Sequence, residues 1–232
     1  AVCSYTADLA YQRESGGLNE GFSDIWGAAV EHFAKGNGTE FPDPEVWLIG
    51  DEIDRRSGSA ALRSMSDPKS QGQPDTYGGT YWQNPNCGSP TRFNDYCGVH
   101  TNSGVLNHWF YLAVMGGSGS NDVGDNYTVT GIGITKAANI SYRMESQYLS
   151  SNSTYANARS AAIQSAIDLY GAGSQEEETV TNAWYAVNVG NAYSGGGTGG
   201  TDYCSSQSNN VNDEYISRVQ LGSLDNTSGA QF

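Results

Sequence analysis

Glu14-Ser15-Gly16-Gly17-Leu18-Asn19-Glu20-Gly21-Phe22-Ser23-Asp24-Ile25-Trp26-Gly27 decides the reading of this chain of 232 residues. Leu18, Phe22, Ile25 and Trp26, continued by Ala29 and Phe33, recur at the spacing of a buried helical face. Ser15 stands where a side chain can cap the helix start. Glu20 and Asp24 lie one turn apart on the face opposite that stripe, and Glu31 extends the same face. At that spacing two carboxylates can share a cation, or serve as a ligand and the group that orients it. Alternatively, such acids only solvate the outer side of a core helix.

Three further stretches narrow the choice. Ala1-Val2-Cys3-Ser4-Tyr5-Thr6-Ala7-Asp8-Leu9-Ala10-Tyr11 precedes the helix, Leu62-Arg63-Ser64-Met65-Ser66-Asp67-Pro68 follows it, and Asp95-Tyr96-Cys97-Gly98-Val99-His100-Thr101-Asn102-Ser103-Gly104-Val105 comes later. With the first stretch these segments, in this order, resemble the thermolysin family of zinc metallopeptidases from Ala1 to about Val189. The resemblance implies a mainly α fold, the C-terminal helical lobe of such an enzyme, with a long irregular segment and a truncated β-type tail.

What the resemblance implies for chemistry is specific. Glu20 would be the third zinc ligand, and Asp24 would accept a hydrogen bond from a zinc-bound histidine without touching the metal. The other two ligands are the histidines of His-Glu-x-x-His, whose Glu is the general base. Counted back from Glu20, the second histidine falls immediately before Ala1, so the chain is expected to begin just after that motif. The histidines present are His32, His100 and His108, and none begins His-Glu-x-x-His. One carboxylate cannot hold a catalytic zinc that needs three protein ligands and an open position. Residues 1–232 alone are therefore expected to be inactive, and the lobe carrying the motif is an expected partner.

His100 would face the oxyanion of the reaction, with Asp95 accepting from its other ring nitrogen and fixing the tautomer. Tyr11 would add a phenolic donor. Arg63 would grip a substrate carbonyl with its fork of donors, or form a structural salt bridge. Ile49 and Leu62 would line an apolar substrate pocket or belong to the core. Calcium is expected near Glu31 and Asp51, with Asp43, Glu45 and Glu52 nearby. Leu48 stands where the family's namesake carries an acid, which argues for one ion and not two.

Composition agrees with a secreted, soluble protein, and the resemblance implies protein or peptide substrates. There are 11 basic and 25 acidic residues, a formal charge of −14 and a pI near 4.3. Such acidity excludes nucleic acid as a partner and is compatible with calcium binding, salt tolerance or colloidal stability. No apolar run approaches a membrane span. Cys87 and Cys97 flank a turn-rich loop that a disulfide would staple for about 3 kcal/mol, which favours an exported location. For Cys3 and Cys204, free or otherwise paired thiols are expected in preference to a second bridge.

Helices are expected at Val105 to Met115, about Gly131 to Ser150, and Tyr155 to Tyr170, with a last one from a Ser174/Glu177 capping box to Ala186. Residues 1–190 are read as the helical lobe and 191–201 as a Gly/Ser-rich linker. Residues 202–232 are read as the start of a truncated accessory β-domain. A non-catalytic lobe that binds peptides or calcium, and an unrelated helical module with an aromatic carbohydrate platform, are the competing readings.

Overall fold

The structure, a computed structural model, describes residues 2–35 and 38–195. The expectations for residues 196–232, Cys204 among them, lie outside the described residues. Helix α1 spans Arg13–Lys35, α2 Asp95–Met115, α3 Ile134–Arg143, α4 Tyr155–Tyr170 and α5 Gln175–Ala186. Between α1 and α2 runs a mostly irregular segment holding a two-residue antiparallel ladder, β1 Leu48–Ile49 with β2 Arg63–Ser64. A hairpin of β3 Gly116–Ser120 and β4 Asn126–Thr130 follows α2 directly. The mainly helical class is thus as the sequence implied. The hairpin was not foreseen; Asn121 to Asp125 is its turn, and Asn121 accepts from the Val123 and Asp125 N–H groups.

Helix α2 is the centre of the lobe. Val105, Leu106, Trp109, Phe110, Ala113 and Val114 are all buried, so the helix is apolar on several sides at once. Trp109 stacks on Trp184 of α5 with centroids 4.8 Å apart, and its Nε1 donates to the Val180 carbonyl. Against another side lies α1, whose Leu18, Phe22 and Ile25 are fully buried. Small residues let the two helices close up: a Cβ placed on Gly21 would stand 2.8 Å from Leu106 Cδ2, and one on Gly16 would collide with Val99.

The α1 stripe ends earlier than its spacing suggests. Phe33 is 91% exposed, and Ala28 is buried where Ala29 was expected to be. The last two turns of α1 contribute no fully buried residue. Ser15 does not accept at a cap; its hydroxyl donates to the Ala10 and Gln12 carbonyls in the segment that leads into the helix. Helix α2 is recorded from Asp95, earlier than the expected Val105, because its first residues form a left-handed turn that leads into it.

Two helix starts are satisfied by acids from far upstream. Glu40 accepts from Thr135 N–H at 3.1 Å and Glu14 from Tyr155 N–H at 2.9 Å, at the first turns of α3 and α4. An orphan donor and the positive end of the helix dipole both favour a carboxylate there. Glu14 also accepts from Tyr77 Oη at 2.7 Å, tying α1 to the irregular segment. The start of α5 departs from a full capping box. Ser174 accepts from Glu177 N–H, but the Glu177 carboxylate reaches back to Gly173 N–H, one residue further than the box requires.

Glu145 lies fully buried in the single wide turn Met144–Tyr148 that continues α3. Trp26 Nε1 donates to its Oε2 at 2.9 Å, the Thr6 and Cys3 side chains lie beside the carboxyl, and Oε1 makes no well-formed hydrogen bond among the described residues. Burial raises its pKa above the ordinary 4.5, and the donors around it offset that only in part.

Two predictions follow from this packing. Gly21→Val forces a branched side chain into Leu106 and should cost about 1–3 kcal/mol in urea unfolding; an unchanged midpoint would mean the helices do not meet there. Because the folded-state pKa of Glu145 is raised, its contribution to stability is full below pH 4.5 and lost as pH rises through the folded value. Glu145→Gln cannot ionise, so it should raise the melting temperature near neutral pH and flatten the pH dependence above that range. A variant less stable than the parent at neutral pH would refute this.

Candidate functional site

The site forms where the first half of α1 faces the start of α2. Glu20 and Asp24 project from α1, but they differ sharply in environment. The Glu20 side chain is 18% exposed, whereas that of Asp24 is 4% exposed and fully engaged. Asp24 therefore does not solvate an outer face. Arg63 donates to it through both ends of its fork, Nε to Oδ2 at 2.7 Å and Nη2 to Oδ1 at 2.6 Å. Burial opposes the Arg63 charge, but the pairing with Asp24 outweighs it and the pKa ends above the ordinary value. Asn107 of α2 adds a third donor, Nδ2 to Oδ2 at 2.8 Å.

Tyr11, just before α1, joins the two helices across the site. Its hydroxyl donates to the Glu20 carboxylate and lies 2.9 Å from His100 Nε2. Burial and the neighbouring Glu20 carboxylate push its pKa well up, so the phenol stays a donor across the physiological range. His100 Nε2 is also 3.7 Å from Glu20 Oε1. On its other side, His100 Nδ1 contacts Asp95 Oδ1, and Asp95 Oδ2 accepts from the His100 backbone N–H at 2.9 Å. An ionised carboxylate only accepts, so Nδ1 carries a proton and Nε2 is the nitrogen presented to Tyr11 and Glu20.

The turn that delivers Asp95 is unusual. Asp95, Tyr96, Cys97 and Gly98 have φ values of 52°, 48°, 69° and 88° in succession. For each of the three that carry a side chain this conformation costs roughly 1–2 kcal/mol. The expected Cys87–Cys97 bridge is present and holds the turn, with a Cα–Cα distance of 5.6 Å. Arg13 fastens the bridged loop to the start of α1 by donating to the Pro85 and Gly88 carbonyls at 2.6 and 2.5 Å. Cys3 is a buried free thiol whose pKa burial pushes up to about 11.

Ile49 and Leu62 sit beside Arg63. The Leu62 N–H donates to the Ile49 carbonyl at 3.0 Å, and Ile49 is the ladder partner of Arg63. Leu62 is 39% exposed and Ile49 half-buried, so both are partly accessible. The expected calcium residues are not gathered in this way. Glu31 faces Lys35 at 3.3 Å, and the same ammonium meets Glu52 at 2.9 Å. Among the described residues, no three His, Cys, Asp or Glu side chains are grouped to hold a metal ion. The remaining histidines are structural: His32 Nε2 lies 2.8 Å from the Thr39 carbonyl, and His108 is buried with Nδ1 3.2 Å from the Met65 carbonyl.

Asn107 and Arg13 were missed in the sequence. Asn107 had a signal: it is a polar residue seven positions after His100, on the same side of the helix. Arg13 had none, since its partners are backbone carbonyls more than seventy positions away.

Known proteins match the chain over most of its length. The family described as thermolysin metallopeptidase, alpha-helical domain, matches residues 7–189. A bacillolysin of Bacillus caldolyticus is 44% identical over 190 residues, covering 82% of this chain and 31% of the relative. A thermolysin of Alicyclobacillus acidocaldarius subsp. acidocaldarius is 44% identical over 191 residues, with the same coverage of 82% and 31%. In structure, the precursor of protealysin, a metalloproteinase from Serratia proteamaculans, superposes with a TM-score of 0.57 at 25% identity, covering 81% of this chain and 54% of that one. The chain spans about a third of the length of the curated relatives it matches. It belongs to the thermolysin family of metallopeptidases, and residues 7–189 are its alpha-helical domain.

Proposed function

We propose that this domain is the helical half of a secreted zinc metalloendopeptidase that hydrolyses protein or peptide substrates, and that it works against a second lobe carrying His-Glu-x-x-His. The observation that carries the reading is the convergence of Glu20, Tyr11, His100 and Asp95 beside the Arg63–Asp24 pair. The donor set fits a zinc site in part. Glu20 is an accessible carboxylate with lone pairs left over after accepting from Tyr11, and Asp24 is held as a hydrogen-bond acceptor one turn on. The two nitrogen ligands would come from the other lobe. Bound zinc would supply an activated water and polarise the scissile carbonyl.

The chain's own residues then have distinct tasks. With Nε2 protonated as well as Nδ1, His100 stands beside the Tyr11 hydroxyl as a second donor for the oxyanion that forms as the carbonyl is attacked. Asp95 keeps the His100 ring from turning and holds its proton on Nδ1. Asp24, immobilised by Arg63 and Asn107, offers its remaining acceptor capacity to a ligand histidine. Arg63 keeps one Nη nitrogen outside its bidentate pairing and so can donate to a substrate carbonyl. Ile49 and Leu62 beside it would meet the substrate side chain. Calcium at Glu31 and Asp51 has weaker support, because Glu31 is already paired with the Lys35 ammonium that also meets Glu52.

Zinc titration tests this division of labour. Residues 1–232 alone should bind no stoichiometric catalytic zinc and hydrolyse no casein; sub-micromolar binding abolished by Glu20→Ala would overturn the two-lobe reading. In the protein that includes His-Glu-x-x-His, Glu20→Ala should lose zinc and activity together. His100→Ala should keep its zinc and lose about 10²–10³-fold in kcat. Loss of zinc from the His100 variant would place that residue among the ligands instead.

A further inference from the structure

We infer that Cys97, through its disulfide to Cys87, is a positioning residue for His100; this rests on the reading that His100 serves the reaction. Four consecutive left-handed residues, Asp95 to Gly98, fold the Asp95 carboxylate back over the first turn of α2. There it takes both the His100 backbone N–H and the ring Nδ1. Side chains oppose this conformation at three of the four positions, so the turn must be held from outside.

The bridge is the covalent part of that hold, and the loop at its other end is fixed in its turn. Asn94 Nδ2 donates to the Ser89 carbonyl at 3.0 Å and contacts Cys87 Sγ at 3.2 Å. Arg13 grips Pro85 and Gly88, and Asn102 of α2 exchanges two hydrogen bonds with the backbone of Gln83, at 2.8 and 2.9 Å. The loop is thus anchored both to α1, two residues after Tyr11, and to α2, two residues after His100. Cutting the bridge leaves Asp95 on a turn that can relax to ordinary φ values, and relaxation carries the carboxylate away from Nδ1. Cys97 touches neither substrate nor metal in this account; it acts by keeping the His100 ring aimed at Tyr11 and Glu20.

The test is Cys87→Ser in the zinc-loaded protein that includes His-Glu-x-x-His. Cys87 is exposed while Cys97 is 1% exposed, so the change leaves the core intact. Expected are unchanged zinc stoichiometry, KM within about twofold, and kcat lowered at least about tenfold. The downfield proton resonance of the His100 Nδ1–H, shared with Asp95, should disappear. A bridge that merely stabilises the fold would lower the melting temperature and leave that resonance in place; a retained resonance in the folded variant overturns the proposal, whatever the turnover. Should Cys87→Ser fail to fold, Cys87→Ala/Cys97→Ala leaves no unpaired thiol in place of the bridge and takes the same measurements. His100→Ala with the bridge intact separates the two claims: unaltered turnover there would defeat the role given to His100, while the resonance would still decide what the bridge does.

Discussion

The close crossing of α1 and α2 is the constraint on which the rest depends. Glu20 and Asp24 belong to one helix, His100 and Asn107 to the other, and the contacts between these side chains are only 2.8 to 3.7 Å long. Gly16 and Gly21 make that approach possible, because a methyl group at either position would run into Val99 or Leu106. The same glycines weaken the helix, each by about 1 kcal/mol relative to alanine. Burial of Leu18, Phe22 and Ile25 against α2 outweighs this cost, at roughly 1.5–3 kcal/mol for each fully buried side chain.

Around that crossing, charge is placed by hydrogen bonds and not left to solvent. Asp24 is nearly inaccessible, and an isolated carboxylate there would cost several kcal/mol. Its three donors come from α2 and from the β1–β2 ladder, so the irregular segment is held to the helices at the point where the chemistry is proposed. Glu14 plays the same part further along, joining α1, Tyr77 and the start of α4 through one carboxylate. The acidic composition of the chain is thus partly structural: acids cap distant helices and anchor loops, in addition to any metal they serve.

Much of this was legible in the sequence, for local reasons. The α1 stripe, the pair Glu20 and Asp24, the end of α4 at Gly171 and the Ser174 cap depend on residues three or four apart. The reading of Asp95 and His100, five positions apart, came instead from the resemblance of the segment that contains them. What escaped depended on distant partners. Phe33 continues the stripe in sequence, but nothing covers it among the described residues. The left-handed run from Asp95 to Gly98 carries only one glycine, and its conformation is imposed by a bridge and a loop that no local propensity reports. Glu40 and Glu14 cap helices 95 and 141 positions away, beyond the reach of any capping pattern.

Anomalous diffraction at the zinc edge, from crystals of the protein that includes His-Glu-x-x-His, tests the central claim most directly. The account predicts one strong peak about 2.0–2.2 Å from a Glu20 carboxylate oxygen, with Asp24 close by but not bound to the metal, and with Tyr11 and His100 side by side across the open position. A peak ligated without Glu20, or with His100 as a ligand, would contradict it.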